Sequence, residues 1–135
     1  MPHLRIEYSA NLAERADIGA LCRELRVALL ETGLFEPGAL RVRAFAASHA
    51  VIADDHPQNA FLDMELRIGR GRSHDDCQRA GAHLFARAEA LLAEPLSAPH
   101  FALSLEIREI DAALSWKRNA IHPRLRATTG GPSHG

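Results

Sequence analysis

From His3 to Tyr8 the chain alternates, with Leu4, Ile6 and Tyr8 on one face and His3, Arg5 and Glu7 on the other. A period of two is the mark of a strand with one buried face, so a strand is expected directly after Pro2. From Leu12 to Thr32 the period changes. Ile18, Leu21, Cys22, Leu25, Ala28 and Leu29 recur at helical spacing, and Gly33 follows as a stop. Leu40, Val42 and Ala44 then alternate with Arg41 and Arg43, which predicts a second strand and completes a βαβ unit. The segment Ala53-Asp54-Asp55-His56-Pro57 reads as a turn.

The same sequence of patterns returns about 60 residues later. Leu62, Met64, Leu66 and Ile68 alternate with Asp63, Glu65 and Arg67. Ser73, with Asp76 three residues on, opens a helix whose apolar stripe is Cys77, Ala80, Leu84, Phe85, Ala88, Leu91 and Leu92, and Pro95 is expected to help end it. Phe101, Leu103, Leu105 and Ile107 then alternate with polar or small neighbours. The expected fold is therefore α+β: tandem βαβ units forming a four-stranded mixed sheet, with both helices on one face. The opposite face, carrying Arg5, Glu7, Arg41, Arg43, Glu65, Arg67, Glu106 and Arg108, is either solvated or buried by copies of the chain. Residues 1–123 make one domain. The segment 124–135, ending Ala-Thr-Thr-Gly-Gly-Pro-Ser-His-Gly, is expected to be a disordered tail.

Composition narrows the class of function. Sixteen basic against 17 acidic side chains leave a net charge of -1 in 135 residues, which gives no bulk field toward nucleic acid or an anionic membrane. No run of about 18 apolar residues occurs, and the first residues do not read as a signal peptide, so a cytoplasmic protein is expected. Cys22 and Cys77 both fall on apolar stripes and suit reduced core thiols. The eight histidines are scattered, and no pair shows zinc-ligand spacing with a cysteine partner, so no metal is expected.

Two features carry possible chemistry. Proline at position 2 becomes a secondary amine if the initiator methionine is removed, and burial or nearby cations favour the unprotonated, basic form of such an amine. With Met1 retained, that nitrogen is a non-basic amide. The turn Gly69-Arg70-Gly71-Arg72-Ser73 opens a helix whose free N–H groups suit an anion. Arg41 adds a guanidinium fork able to grip a carboxylate.

Read together, Met1-Pro2-His3, Thr32-Gly33-Leu34-Phe35, Leu40-Arg41-Val42-Arg43, Ile68-Gly69-Arg70-Gly71-Arg72-Ser73, Ala102-Leu103-Ser104-Leu105-Glu106-Ile107 and Lys117-Arg118-Asn119 with His122 resemble the tautomerase superfamily. Within it they resemble the 5-carboxymethyl-2-hydroxymuconate isomerases. The resemblance implies a homotrimer that isomerises a small carboxylate substrate of homoprotocatechuate (4-hydroxyphenylacetate) catabolism, without cofactor or metal. It implies that Pro2 shuttles a proton between the oxygen and carbon ends of a dienol. It also places Arg41 and Arg72 on the substrate, with Phe35, Trp116 and Asn119 lining the pocket. Two other functions remain compatible with the residues: tautomerisation of another enol such as phenylpyruvate, or a noncatalytic trimeric module that binds carboxylates.

Overall fold

The computed structural model describes residues 1–129. Strand β1 (His3–Ser9) is interior, because β2 (Arg41–Ala47) pairs with it in parallel on one side and β3 (Ala60–Gly69) antiparallel on the other. β4 (Phe101–Ile110) runs parallel to β3 and closes the order β2-β1-β3-β4. The sheet is thus mixed, and each parallel pair is joined through a helix, as the tandem units require.

Alternation decides which face is buried. Leu4 and Ile6 of β1 and Leu62, Met64, Leu66 and Ile68 of β3 are fully enclosed. Against them lie Leu21, Leu25, Ala28 and Leu29 of α1 (Ile18–Glu31) and Leu84 and Ala88 of α2 (His74–Leu91). The edge strands add half-buried Val42, Ala44, Leu103, Leu105 and Ile107. Both helices therefore cover one face of the sheet. Cys22 and Cys77 are free thiols, half-buried at the rim of this core rather than at its centre, and burial pushes the Cys22 thiol up.

The helices depart from the sequence expectation at their ends. The first does not run unbroken from Leu12. A 3-10 turn (Ala10–Glu14) comes first, and α1 starts only after Asp17, whose carboxylate accepts from Ala20 N at 3.0 Å. This cap satisfies a free helix donor, whereas continuation through Arg15 and Ala16 would leave Asp17 inside a helix that it suits poorly. At the other end Gly33 has a left-handed backbone, φ 74°, and ends α1 as expected. Pro95 does not simply follow a finished helix. It lies buried in a further short turn of helix, α3 (Ala93–Leu96).

On the open face, register produces a gradient of charge. Arg41, His3, Arg67 and Arg108 form one row across all four strands, and two residues along stand Arg43, Arg5, Glu65 and Glu106. The next row is Phe45, Glu7, Asp63 and Ser104. The basic row is the one at the start of the chain. Its Arg108 pairs with Glu106 at 2.9 Å and Glu65 at 3.4 Å.

The largest difference from expectation lies beyond β4. Residues 124–129 are not disordered: α4 (Ile121–Thr129) is a helix packed on the 3-10 turn Pro37–Ala39. Residues 130–135, the rest of the expected tail, lie outside the described residues. Arg126 grips the Glu36 carboxylate through two nitrogens, at 2.9 and 3.1 Å, and His122 Nδ1 lies 3.6 Å from the same carboxylate. The contact is close because residue 38 is glycine. A Cβ there would stand 2.7 Å from His122 Nδ1 and 3.1 Å from His122 Cα.

Two stability measurements follow. Met64→Ala should cost about 2–5 kcal/mol in denaturant unfolding, as other deletions of buried core side chains do. Gly38→Ala should cost about 1–3 kcal/mol by pushing α4 off its seat, which is the usual cost of overpacking. An unchanged unfolding midpoint for Gly38→Ala would mean that α4 is not held there.

Candidate active site

The chain begins at one end of the sheet, where β1 and β2 start and β3 and β4 finish. Arg41 N donates to Pro2 O at 3.2 Å, extending the β1–β2 ladder to the chain start and fixing Pro2, which is buried. From Ile110 the chain leaves one edge of the sheet and reaches α4 beside the residues that precede β2 at the other edge. Residues 111–120 therefore form a strap across the whole sheet end. Asp111 holds its first turn (Ala112–Leu114) by accepting from Ala113 N, and no regular structure follows until Ile121.

Between strap and strand ends lies a cavity of about 450 Å³. Met1, His3, Arg41, Gly69 and Ile110 form its strand side; Ala112, Ser115, Trp116, Lys117 and Arg118 form its strap side. That size suits a small organic acid rather than a polymer. Among the described residues, the partners of Arg41 Nη1 are Met1 Sδ at 2.9 Å and Ala39 O at 3.4 Å. No carboxylate neutralises it.

Arg72 approaches from the other side. Its guanidinium donates to Gly69 O at 3.3 Å and Leu34 O at 3.2 Å and lies over the Phe35 ring, 4.9 Å from the centroid. Phe35 is buried beneath it and keeps the cation on an apolar floor. Arg72 lines a second concavity of about 680 Å³, between α2 and β4, together with Cys77, Phe85, Leu105 and Ile107. The larger hollow lacks an amine. Arg72 bears on the smaller one as well, because its charge is among those that lower the pKa of the Met1 amine there.

Electrostatics at the Met1 amine are unusual. Its pKa is lowered from 8.0 to about 6, first by burial, then by Lys117, then by the charges of Arg72 and Arg41. Each cause penalises the ammonium form, so near neutral pH the amine is a free base. Beside it, His3 is held neutral down to about pH 4 by burial and by Arg67, Arg43 and Arg41. Its Nδ1 lies 3.2 Å from Arg43 Nη1, and a neutral ring nitrogen can accept that bond.

The structure thus gathers Pro2, Arg41, Arg72 with Phe35, and Trp116 around one end of the sheet. Trp116 lines the cavity while being 86% exposed. Asn119, expected to line the pocket, is used elsewhere. Its amide donates to Gly38 O at 2.8 Å, and its oxygen accepts from Ile121 N at 2.8 Å and His122 N at 3.2 Å, which caps α4. The turn before α2 is likewise committed as a cap. Ser73 Oγ accepts from Asp76 N at 3.0 Å, and Asp75 and Asp76 fill the first turn with negative charge, which disfavours the anion cradle expected there. His3, Lys117 and Arg118 stand in the stretches quoted above but were given no role there. For Lys117 and Arg118 one signal was usable: two basic residues following a tryptophan soon after the last strand.

The sequence pattern of the 5-carboxymethyl-2-hydroxymuconate isomerase family matches residues 2–125. A 5-carboxymethyl-2-hydroxymuconate Delta-isomerase of Escherichia coli is 34% identical over 122 residues, covering 90% of this chain and 97% of the relative. The crystal structure of a 5-carboxymethyl-2-hydroxymuconate isomerase from Deinococcus radiodurans R1 superposes with a TM-score of 0.86 at 38% identity, covering 93% of this chain and 94% of that one. A fused 4-OT symmetric trimer shares the fold at 11% identity, with a TM-score of 0.64 over 86% of this chain and 93% of that one. Fold, sequence pattern and overall identity converge, and the chain belongs to the 5-carboxymethyl-2-hydroxymuconate isomerase family.

Proposed function

We propose that the chain isomerises 5-carboxymethyl-2-hydroxymuconate, using as base the secondary amine that Pro2 gains when Met1 is removed. The observation that carries this reading is a partly buried chain start whose Met1 amine has a depressed pKa, beside Lys117, Arg72 and Arg41, which have no acidic partner among the described residues, at a cavity sized for a small acid; the Pro2 amine freed by loss of Met1 lies one residue further in. Loss of Met1 does two things at once. It turns the Pro2 nitrogen from an amide into an amine, and it releases Arg41 from the methionine sulfur.

The reaction moves one proton. The amine takes it from the 2-hydroxyl, the oxygen electrons form the 2-oxo group, and the double bonds shift along the chain. The resulting ammonium then returns the proton to the carbon at the far end of the diene, so the product is an isomer of the substrate and nothing else is consumed. The substrate's name specifies three carboxylates, two from muconate and one from the carboxymethyl group. Arg41 and Arg72 are assigned to carboxylates or to the developing negative charge on the dienolate, where fixed cations stabilise the transition state most. Phe35 holds Arg72 flat, and Trp116 covers the cavity. The protein acts as a cytoplasmic homotrimer. The mixed-charge open face of the sheet and the trimeric assembly named for a protein of the same fold support that arrangement, and among the described residues no helix is long and apolar enough to cross a membrane.

Arg72→Ala should lower kcat/KM for this substrate by about a hundredfold or more with the fold intact, in the range seen when one transition-state donor is lost. Unchanged turnover would remove Arg72 from the site. Arg41→Ala should weaken substrates with several carboxylates more than those with one; equal losses would argue against a carboxylate clamp there. The pH dependence carries its own sign. The base works unprotonated, so kcat/KM should hold its plateau near pH 7 and decline as pH falls, with the acid limb below the ordinary α-amine value of about 8. A limb at or above 8 would mean that the base is not this desolvated amine.

A further inference from the structure

We propose that Lys117, carried by the strap, is a third substrate-binding cation: it rests against the terminal amine in the empty site and moves to a substrate carboxylate when the site fills. This inference rests on the isomerase reading and extends it to a residue outside the two arginine positions.

The geometry begins with the strap. Arg41 comes from the start of β2 and Arg72 from the turn before α2, so the strand ends supply cations to one side of the cavity only. Lys117 comes from the opposite wall. It lines the same cavity as Met1, and it is the largest cause after burial of the lowered pKa of the Met1 amine. After processing, the amine moves one residue inward, a Cα–Cα step of about 3.8 Å. A lysine stem with four methylene groups follows that shift without movement of the backbone.

Its placement is otherwise unrewarded. Arg41, Lys117 and Arg118 line the cavity and Arg72 bears on the amine from beside it, so like charges repel one another there, and none of the ion pairs among the described residues engages Lys117. A substrate with three carboxylates eases that repulsion: Arg41 and Arg72 leave one carboxylate over, and of the two strap cations it is Lys117, not Arg118, that acts on the amine. The strap is also fixed where such a role requires it. Just beyond Lys117, Asn119 bonds Gly38 O at 2.8 Å, and α4 is tied to Glu36 by Arg126. Trp116 and Leu114 leave the protein surface within this chain, at 86% and 73% exposure. Packing of their side chains against the core therefore does not explain the path of the strap, whereas its anchors do.

A single lysine ammonium on a carboxylate is a charge-assisted hydrogen bond, which corresponds to roughly ten- to hundredfold in binding. It also has a second effect. Removing the lysine charge removes a force that disfavours the protonated amine, so the amine becomes easier to protonate.

The test compares processed wild-type protein with Lys117→Met and Lys117→Arg, measuring kcat and KM for 5-carboxymethyl-2-hydroxymuconate between pH 5 and pH 9. Lys117→Met should raise KM about tenfold or more and move the acid limb of kcat/KM to higher pH, while Lys117→Arg restores most of both. Both changes are required. A KM within about twofold of wild type, or an acid limb that stays in place, overturns the proposal. The wild-type rate keeps the two levels apart: if wild type does not turn over, the isomerase reading fails; if it does and Lys117→Met behaves like it, only the role of the lysine fails. Because Lys117 is exposed, circular dichroism of the variant should match wild type.

Discussion

Placing the first strand of the chain in the interior of the sheet constrains everything else. A strand at a free edge can fray, but β1 is hydrogen-bonded on both sides, to β2 in one direction and β3 in the other. Its second residue therefore has nowhere to go, and Pro2 O is already part of the ladder through Arg41 N. Chain termini are ordinarily among the least ordered parts of a domain. Here Pro2 is buried and tied to β2 by a backbone hydrogen bond, and a terminal group must be held in this way to act as a positioned base.

The register of the strands then determines what surrounds that group. His3 sits directly between Arg41 and Arg67, so the first polar row of the sheet is entirely basic. Glu65 and Glu106, two residues further along, pair with Arg67 and Arg108. Arg41, at the other end of the row, has no carboxylate partner among the described residues, and the cations around it hold His3 neutral. Natural sequences tolerate such local conflict chiefly where a ligand resolves it. Backbone pairing alone places the basic row at the end of the sheet where the chain starts.

Much of this was legible in the sequence, for a physical reason: the sheet buries one face, so the alternation of Leu62, Met64, Leu66 and Ile68 directly reports which side is covered. Helix ends were less legible. Asp17 as a cap and Asp17 as an interior residue look alike until the backbone before Ile18 is seen to turn. The part of α4 from residue 124 onward was read as disorder because its own composition is polar and its anchor is Glu36, 90 positions away from Arg126. Arg41 and Arg72 were singled out because they stand in short recognisable stretches. Lys117 was quoted among such stretches without a role, since its place opposite the amine depends on a strap spanning two strands that are neighbours of neither residue. Asn119 was assigned to the right neighbourhood and the wrong task, because a cap and a pocket residue need the same polar group.

The enclosed start of the chain has a practical side for anyone handling the protein. Met1 already occupies part of the cavity and touches Arg41. Any purification handle or fusion partner joined ahead of it would have to leave through the gap between the strand ends and the strap, past Lys117 and Trp116. Such a preparation would fold, bind its affinity resin and yield a clean band on a gel while its cavity was filled with linker and its amine locked in a peptide bond. A well-behaved sample made that way would be the least informative one to assay.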